Sequence, residues 1–199
     1  PFQFSGSITD AHKKLDMYDL KIREIESQVS QFHELEELFE LQQTNYLEIG
    51  DTHVEIKYLR ILWDFKAMAD QVFADWRKTL WNDVDTDSIE EKNKKLRKQL
   101  KEKGNAFSTM KGWQVYKDIE ETMEVMAVVL PLINDLHSEA MRPRHWSALA
   151  QVCSVKVVDP ADPCFSLEDM LNLQLHRHKE SIEEIVETAT KELKIERKL

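Results

Sequence analysis

The sequence predicts an all-α fold, an elongated multi-helix bundle or rod, on three observations. Only 4 glycines and 5 prolines punctuate 199 residues, too few for a β-sandwich or a nucleotide-binding α/β fold. Charged residues make up 32%, and Leu, Glu and Lys dominate, the profile of long helices. Apolar residues recur in steps of three and four, the helical period. At 42% hydrophobic the chain can bury a real core, and its length suits one domain or two small ones.

The first element is a long heptad-patterned helix. Ile8, Ala11, Leu15, Tyr18, Ile22, Ile25, Val29 and Phe32 form a sustained stripe, a seam that faces one partner. Thr9 or Asp10 can cap its start. Leu35, Leu38, Phe39 and Leu41 widen the stripe, which implies more than one neighbour there. "TNYLEIGDTH", Thr44 to His53, breaks the run, with Gly50 expected in the left-handed conformation. A second helix follows over about Val54–Leu80, burying Leu59, Leu62, Phe65, Ala69, Val72, Trp76 and Leu80, with Trp63 and Phe73 broadening the face.

"WNDVDTDSIEEK" is an acidic loop entering a third helix, Ile89–Lys103, where Asp87 and Glu90 have capping-box spacing. That helix carries Lys92, Lys94, Lys95, Arg97, Lys98, Lys101 and Lys103. No aromatic is interleaved for base stacking, so the run reads as a solvated face paired with Glu90, Glu91 and Glu102. A fourth helix starts near Trp113 and meets Pro131, which kinks it or opens a new helix.

"MRPRHWSAL", Met141 to Leu149, is the least ordinary stretch. Trp146, Leu149, Ala150 and Cys153 fall on one helical stripe, and Pro143 suits the first turn of that helix. The residue before a proline avoids the helical region, so the preceding helix is expected to end near Met141 or Arg142. Two helices then meet at a corner. Arg142 suits the carbonyl end of the first. Arg144 and His145 sit at the positive end of the second, where a cation is disfavoured, so they need carbonyl or carboxylate partners from elsewhere. The corner reads as structural: Arg142, Pro143, Arg144, His145, Trp146 and Leu149, with Trp146 as the buried bolt and Arg144 as a clamp. No nucleophile or glycine loop lies near enough for a catalytic or phosphate site.

Beyond the corner, "VKVVDPADPCF" is a loop with at most a brief extended segment at Val155 to Val158. Ser166 caps a short helix with Asp169 three residues on; its core is Met170, Leu171, Leu173 and Leu175. A last helix runs from about His178 past Lys194, with Ile182, Ile185, Ala189 and Leu193 inward and Glu183, Glu184 and Glu187 outward.

Several function classes are disfavoured. A formal charge of −10 argues against nucleic-acid and anionic-membrane binding. No apolar run has transmembrane length, and no secretory signal is present. Cys153 and Cys164 are expected as free thiols. With His176 and His178 they do not make a zinc site, because the spacing is wrong and the two histidines point to different faces. The chain starts at Pro1 and its last helical pattern still runs at Leu199, so a fragment of something longer is expected.

These residues carry a resemblance. "MRPRHWSAL" resembles the Arg-x-Arg-His-Trp-x-x-Leu signature of dynein heavy chains, which belongs to the linker ahead of the motor ring. "LPLINDLHSEAM" resembles the stretch before it, and "FSLEDMLNLQLHRHKESIEEIVETATKELKIE" the stretch after it. "LEELFEL", "LRILWDF" and "FADWRKTLWNDVD" resemble the family's preceding helices and tryptophan-rich join. The likeness runs from about Leu15 onward and is closest to axonemal, outer-arm chains. Departures are Pro143 in place of an acidic residue, a divergent "CSVKVVDPADPCF" loop, and Glu168 where glycine is frequent.

The resemblance implies residues 1–50 as a long helix of the tail or neck and 51–199 as the N-terminal helical part of the linker. It implies a non-catalytic mechanical segment of an ATP-driven microtubule motor in the cytoskeleton of the cytoplasm, specifically the ciliary axoneme. Partners would be the rest of its own heavy chain, with its AAA+ ring and tail, and other dynein heavy, intermediate or light chains; microtubules would be met only indirectly. No cofactor is expected in this segment, while ATP and Mg are expected in the parent ring; Gly6, Gly50, Gly104 and Gly112 cannot form a phosphate loop. The rival is a static spectrin-like scaffold or tether, which should show an internal repeat, and none is found. A helical enzyme lacks paired carboxylates or a nucleophile–base set.

Overall fold

A computed structural model of the chain describes residues 6–156 and 158–198. Among them the fold is all-α, as composition and period predict. The chain divides into two compact units, Pro1–Met68 with Leu100–Ile119, and Ala69–Gln99 with Glu120–Leu199.

In the first unit, α1 (Ile8–Leu38) and α2 (Leu47–Arg77, to Met68 here) form an antiparallel hairpin. Partner numbers fall along α2 as they rise along α1: His12 meets Asp64 at 3.4 Å, Asp16 meets Arg60 at 2.8 Å, and Glu26 meets His53 at 3.7 Å. The cap of α1 is Ser7, not Thr9 or Asp10. Ser7 is extended and its Oγ accepts the Asp10 N–H at 3.1 Å, satisfying one of the free donors of the first turn. Only Ala11, Leu15 and Ile22 of the predicted stripe are buried. Tyr18, Ile25 and Phe32 are exposed, and so are Leu35, Leu38, Phe39 and Leu41. The second neighbour expected around them is not supplied by the described residues.

Gly50 also departs from expectation. It lies inside α2, and among the described residues no glycine has a positive φ. The left-handed residue is Glu40, at φ 53°. Leu41 N–H reaches Glu36 O at 2.7 Å, and Glu40 N–H reaches Glu37 O at 3.1 Å, the paired bonds of a Schellman ending. The loop is then tied back to α1. Glu36 accepts from Thr44 N–H at 3.1 Å and Thr44 Oγ1 at 2.7 Å, which together hold its carboxyl below the usual range. Ile56, Leu59, Leu62, Trp63 and Phe65 line the core. Tyr58 stacks on Phe107 at 4.4 Å, and Lys103 lies over Phe65 at 5.5 Å.

The second unit takes the end of α2, a 3₁₀ turn at Trp81–Asp83, and parts of α3 (Thr86–Ala106) and α4 (Gln114–Leu136). It continues through α5 (Pro143–Val152), α6 (Leu167–Asn172), a 3₁₀ turn at Leu175–His178 and α7 (Lys179–Glu196). Asp85 caps α3 through the Ser88 N–H at 3.0 Å, in place of the predicted Asp87. On α3, Lys95 pairs with Glu91 at 2.7 Å and Arg97 approaches Glu124 at 3.9 Å, so part of the basic run is a salt-bridged face. Pro131 lies inside α4 without ending it; the carbonyl of Ala127 loses its helical donor.

The predicted Ser166–Asp169 capping box forms, with Ser166 N–H on Asp169 at 2.9 Å. Leu167, Met170 and Leu175 are fully buried, while Leu171 and Leu173 are only half-buried. No strand is found at Val155, Lys156 or Val158, and Val157 lies outside the described residues. Ser154 turns the chain there with φ 57°. The trace of β pairing is elsewhere, between Leu80 and Ser166, where Trp81 N–H bonds Phe165 O and Leu167 N–H bonds Thr79 O, each at 2.8 Å. Leu80, expected in the core, is exposed, and the backbone bonds there are made by its neighbours Thr79 and Trp81.

Candidate functional site: the corner at Arg142–Leu149

The corner forms, but not with the predicted entry. Helix α4 ends at Leu136, five residues before Met141. Ser138 accepts the Ala140 N–H at 3.3 Å and Met141 N–H bonds Ser138 O at 3.1 Å. Such local bonds compete with helix continuation. Pro143 is the first residue of α5 and Arg142 its extended cap, with φ −115°.

The two outward cations find their partners on α7. Arg144 donates from Nε to Glu192 Oε2 at 2.8 Å, and its Nη2 makes a second, closer contact with the same oxygen. The same nitrogen reaches Glu196 Oε1 at 3.4 Å. Arg142 donates to Glu196 Oε2 at 3.1 Å and to the Glu139 carbonyl at 3.1 Å. Arg197 then holds the Glu139 carboxylate at 3.1 Å. The result is a ladder of alternating charge between the start of α5 and the end of α7.

Each rung solves a local problem. Cations at a helix start and carboxylates at a helix end both oppose the macrodipole. Arg144 stands in the first turn of α5, and Glu192 and Glu196 in the last turns of α7. Brought together, each cancels the other's misplacement. Glu192 is held below the usual carboxylate range, first by the Arg144 hydrogen bond and then by His145. Glu196 is lowered chiefly by Arg142, and Arg144 is raised chiefly by Glu192.

His145 is the buried member, only 5% exposed. Its Nδ1 accepts the Arg142 backbone N–H at 3.0 Å. A nitrogen that accepts carries no proton, so the ring hydrogen is assigned to Nε2, which donates to Glu192 Oε2 at 2.9 Å. Both ring nitrogens are committed in this arrangement, so His145 fixes the α5 start against α7 and presents no free lone pair for general-base work.

Trp146 is half-buried, not the bolt the sequence predicts. With Pro143 fixing the helix start, residues 145, 149 and 150 point inward: Leu149 is fully buried and Ala150 nearly so. Trp146 falls on the margin and meets the edge of Trp81 at 6.1 Å and 88°. Trp81 is the buried indole, 5% exposed. His137 lies 4.7 Å from it and Phe165 6.0 Å, and His137 Nε2 is 2.7 Å from the Trp81 carbonyl.

The six corner residues lie together, and their contacts across the fold include three residues the sequence reading does not name: Trp81, Glu192 and Glu196. The glutamates had a readable signal. Acids four apart in the last turns of a helix are as misplaced as cations in the first turn. Trp81 had none beyond its presence in a tryptophan-rich join. Cys153 and Cys164 are free thiols, with burial raising the Cys153 thiol. Among the described residues no group of His, Cys, Asp and Glu is placed to hold a metal ion, and no helix is long and apolar enough to cross a membrane.

A family model described as "Dynein heavy chain, N-terminal region 2" matches residues 49–199. The chain is 36% identical to the "Dynein beta chain, flagellar outer arm" of Chlamydomonas reinhardtii, over 100% of its own length and 4% of that protein. It is 31% identical to the corresponding alpha chain over 98% of its length and 4% of the relative. It is 27% identical to human "Dynein axonemal heavy chain 17" over 100% and 4%. The 199 residues therefore span a small fraction of the relatives they match.

Proposed function

The chain belongs to the dynein heavy chains, and we propose that within them it acts as a non-catalytic mechanical segment, the neck and first part of the linker. Its relatives are flagellar, ciliary and axonemal chains, and this chain is of the axonemal kind, a component of the cilium or flagellum. The complete protein would hydrolyse ATP with Mg in a ring outside these residues and act on microtubules, and this segment would carry displacement between ring and tail. Other dynein heavy, intermediate or light chains would assemble with the complete protein.

One observation carries the reading: the ladder from Arg142, Arg144 and His145 to Glu192 and Glu196. A lever must hold its angles under load. Here a helix start and a helix end are joined by several charge-assisted bonds at once, with a buried histidine and a fully buried leucine beneath them. Charge-assisted bonds of fixed geometry resist reorientation more than apolar contact alone, and a close-packed interior beneath them resists deformation.

The test is the Arg144→Ala/His145→Ala variant of the complete heavy chain. It should fold and keep microtubule-stimulated ATPase of the same order, while gliding velocity falls clearly. Proportional loss of both would mean that the corner gates the ring's chemistry. Unchanged motility would leave it a local packing device, as in a static scaffold.

A further inference from the structure

Within the second unit, α3 buries two apolar residues, Ile89 and Leu96, and between them Asn93. The steps are four and three, so Asn93 stands at a core position of a heptad-type stripe. It is 1% exposed and, among the described residues, His145 is the other buried residue with a strongly polar side chain. The Nδ2 of Asn93 donates to the Met123 carbonyl on α4 at 3.0 Å. That carbonyl also accepts the Ala127 N–H of its own helix, so α4 does not depend on the bond. The Asn93 Oδ1 finds no partner among the described residues. A buried amide bonded at one end only is a poorer filling than an apolar side chain of the same shape. Stability alone does not account for an asparagine at this position.

We propose that Asn93 is a register pin, which fixes the position of α3 along α4. The apolar groups specify that position weakly. Helix α4 presents Met123, Met126, Leu130 and Ile133, all buried, at steps of three, four and three. Along so even a stripe Ile89 and Leu96 meet similar sockets at other positions, and the two methionines refit to shifted neighbours. Asn93 removes that freedom, because α4 offers its amide one open seat. A helical side chain leans over the turn before it and covers the carbonyl four residues back. Over Met123 O that residue is Ala127, the one Gly, Ala or Ser between Glu120 and Leu136, and a lone Cβ leaves the carbonyl within reach. One turn on, the Pro131 ring crowds the Ala127 carbonyl. Any slip therefore strands the buried amide, and a single buried asparagine is known to set helix register in this way. A segment that carries displacement has use for a helix that cannot slide, but the inference stands without that role.

Disulfide exchange reads the register. Two cysteine pairs are placed in the full 199-residue chain carrying Cys153→Ser/Cys164→Ser, and each is equilibrated with glutathione. Thr86→Cys/Asn134→Cys reports the native position, because Thr86 Oγ1 and Asn134 Oδ1 lie 2.9 Å apart across the same two helices. Arg97→Cys/Val128→Cys reports a slip of one turn: Arg97 approaches Glu124 at 3.9 Å, and Val128, which is exposed, follows Glu124 by one turn. With Asn93 in place the first pair should close readily and the second poorly. Asn93→Leu, which keeps the branching and removes the polar atoms, should lower the effective concentration of the first pair by at least about threefold and raise that of the second by a similar factor. The melting temperature should hold or rise. Asn93→Ala repeats the test without added volume, in case leucine overfills the seam. Unchanged closure of the first pair in both variants would overturn the proposal, because the apolar stripe would then set the register unaided. So would a fall in the first pair with no gain in the second and a lower melting temperature, because Asn93 would then hold α3 together rather than in place.

Discussion

The hairpin apex and the corner present opposite solutions to the same composition. At the apex, Phe32, Leu38 and Phe39 extend the apolar period of α1 into solvent, and a few bonds from Glu36 and His33 hold the loop. At the corner, the surface is a charge ladder and the apolar groups beneath it, Leu149 and Trp81, are buried. A regular apolar stripe states that a helix wants a partner but not whether these residues supply it. Charges placed against a helix dipole state more, because they demand a partner of known sign.

The comparison breaks first at buried groups. Trp81→Ala should cost about 3–5 kcal/mol and Leu149→Ala about 2–5 kcal/mol, as for buried aromatic and aliphatic truncations. Trp146→Ala should cost roughly half as much as Trp81→Ala, since less of the ring leaves water. Leu38→Ala should stay within about 0.5 kcal/mol. Urea melts of the four variants check the order. An apex truncation as damaging as Trp81→Ala would mean that the apex is packed in solution.

Glycines sharpen the contrast at smaller scale. A Cβ on Gly104 would meet Tyr116 at 2.9 Å, and Tyr116 is only 3% exposed. Gly104→Ala should therefore destabilise by about 1–3 kcal/mol despite better helix propensity. Gly50 sits in α2 with nothing within 4 Å of a Cβ, so Gly50→Ala should stabilise by about 0.5–1 kcal/mol. Thermal melts of the pair should move in opposite directions.

The smallest expected effect is that of pH. Glu192 and Glu196 are depressed in the folded state. Their contribution is complete above the ordinary Glu range and is lost as pH falls through the lowered folded values. Melting temperature should fall with acid less steeply in Glu192→Gln/Glu196→Gln than in the parent chain. Parallel slopes would show that the ladder is too solvated to matter.

Much of this fold was legible in sequence. The order of helices, Pro143 at the first turn of α5 and the Ser166–Asp169 box all follow from local rules that act within one turn. The need of Arg144 and His145 for distant partners was legible too, because dipole and charge sign are local facts. Which partners they find was not. Glu192 and Glu196 lie about fifty residues downstream, and the fold alone brings them back. The misses at α1 and α3 were near-ties: Ser7 and Asp85 compete with neighbours of similar capping strength, and geometry decides. Gly50 is the stronger propensity signal for a left-handed residue, yet the Schellman bonds form around Glu40.

The central claim is that the start of α5 and the end of α7 move as one joint. Native-state hydrogen exchange tests it most directly, comparing the parent chain with Glu192→Gln/Glu196→Gln. The account predicts faster exchange in the first turns of α5 and the last turns of α7 together, with the α1–α2 hairpin unchanged. Faster exchange at the end of α7 alone, with α5 protected as before, would contradict it.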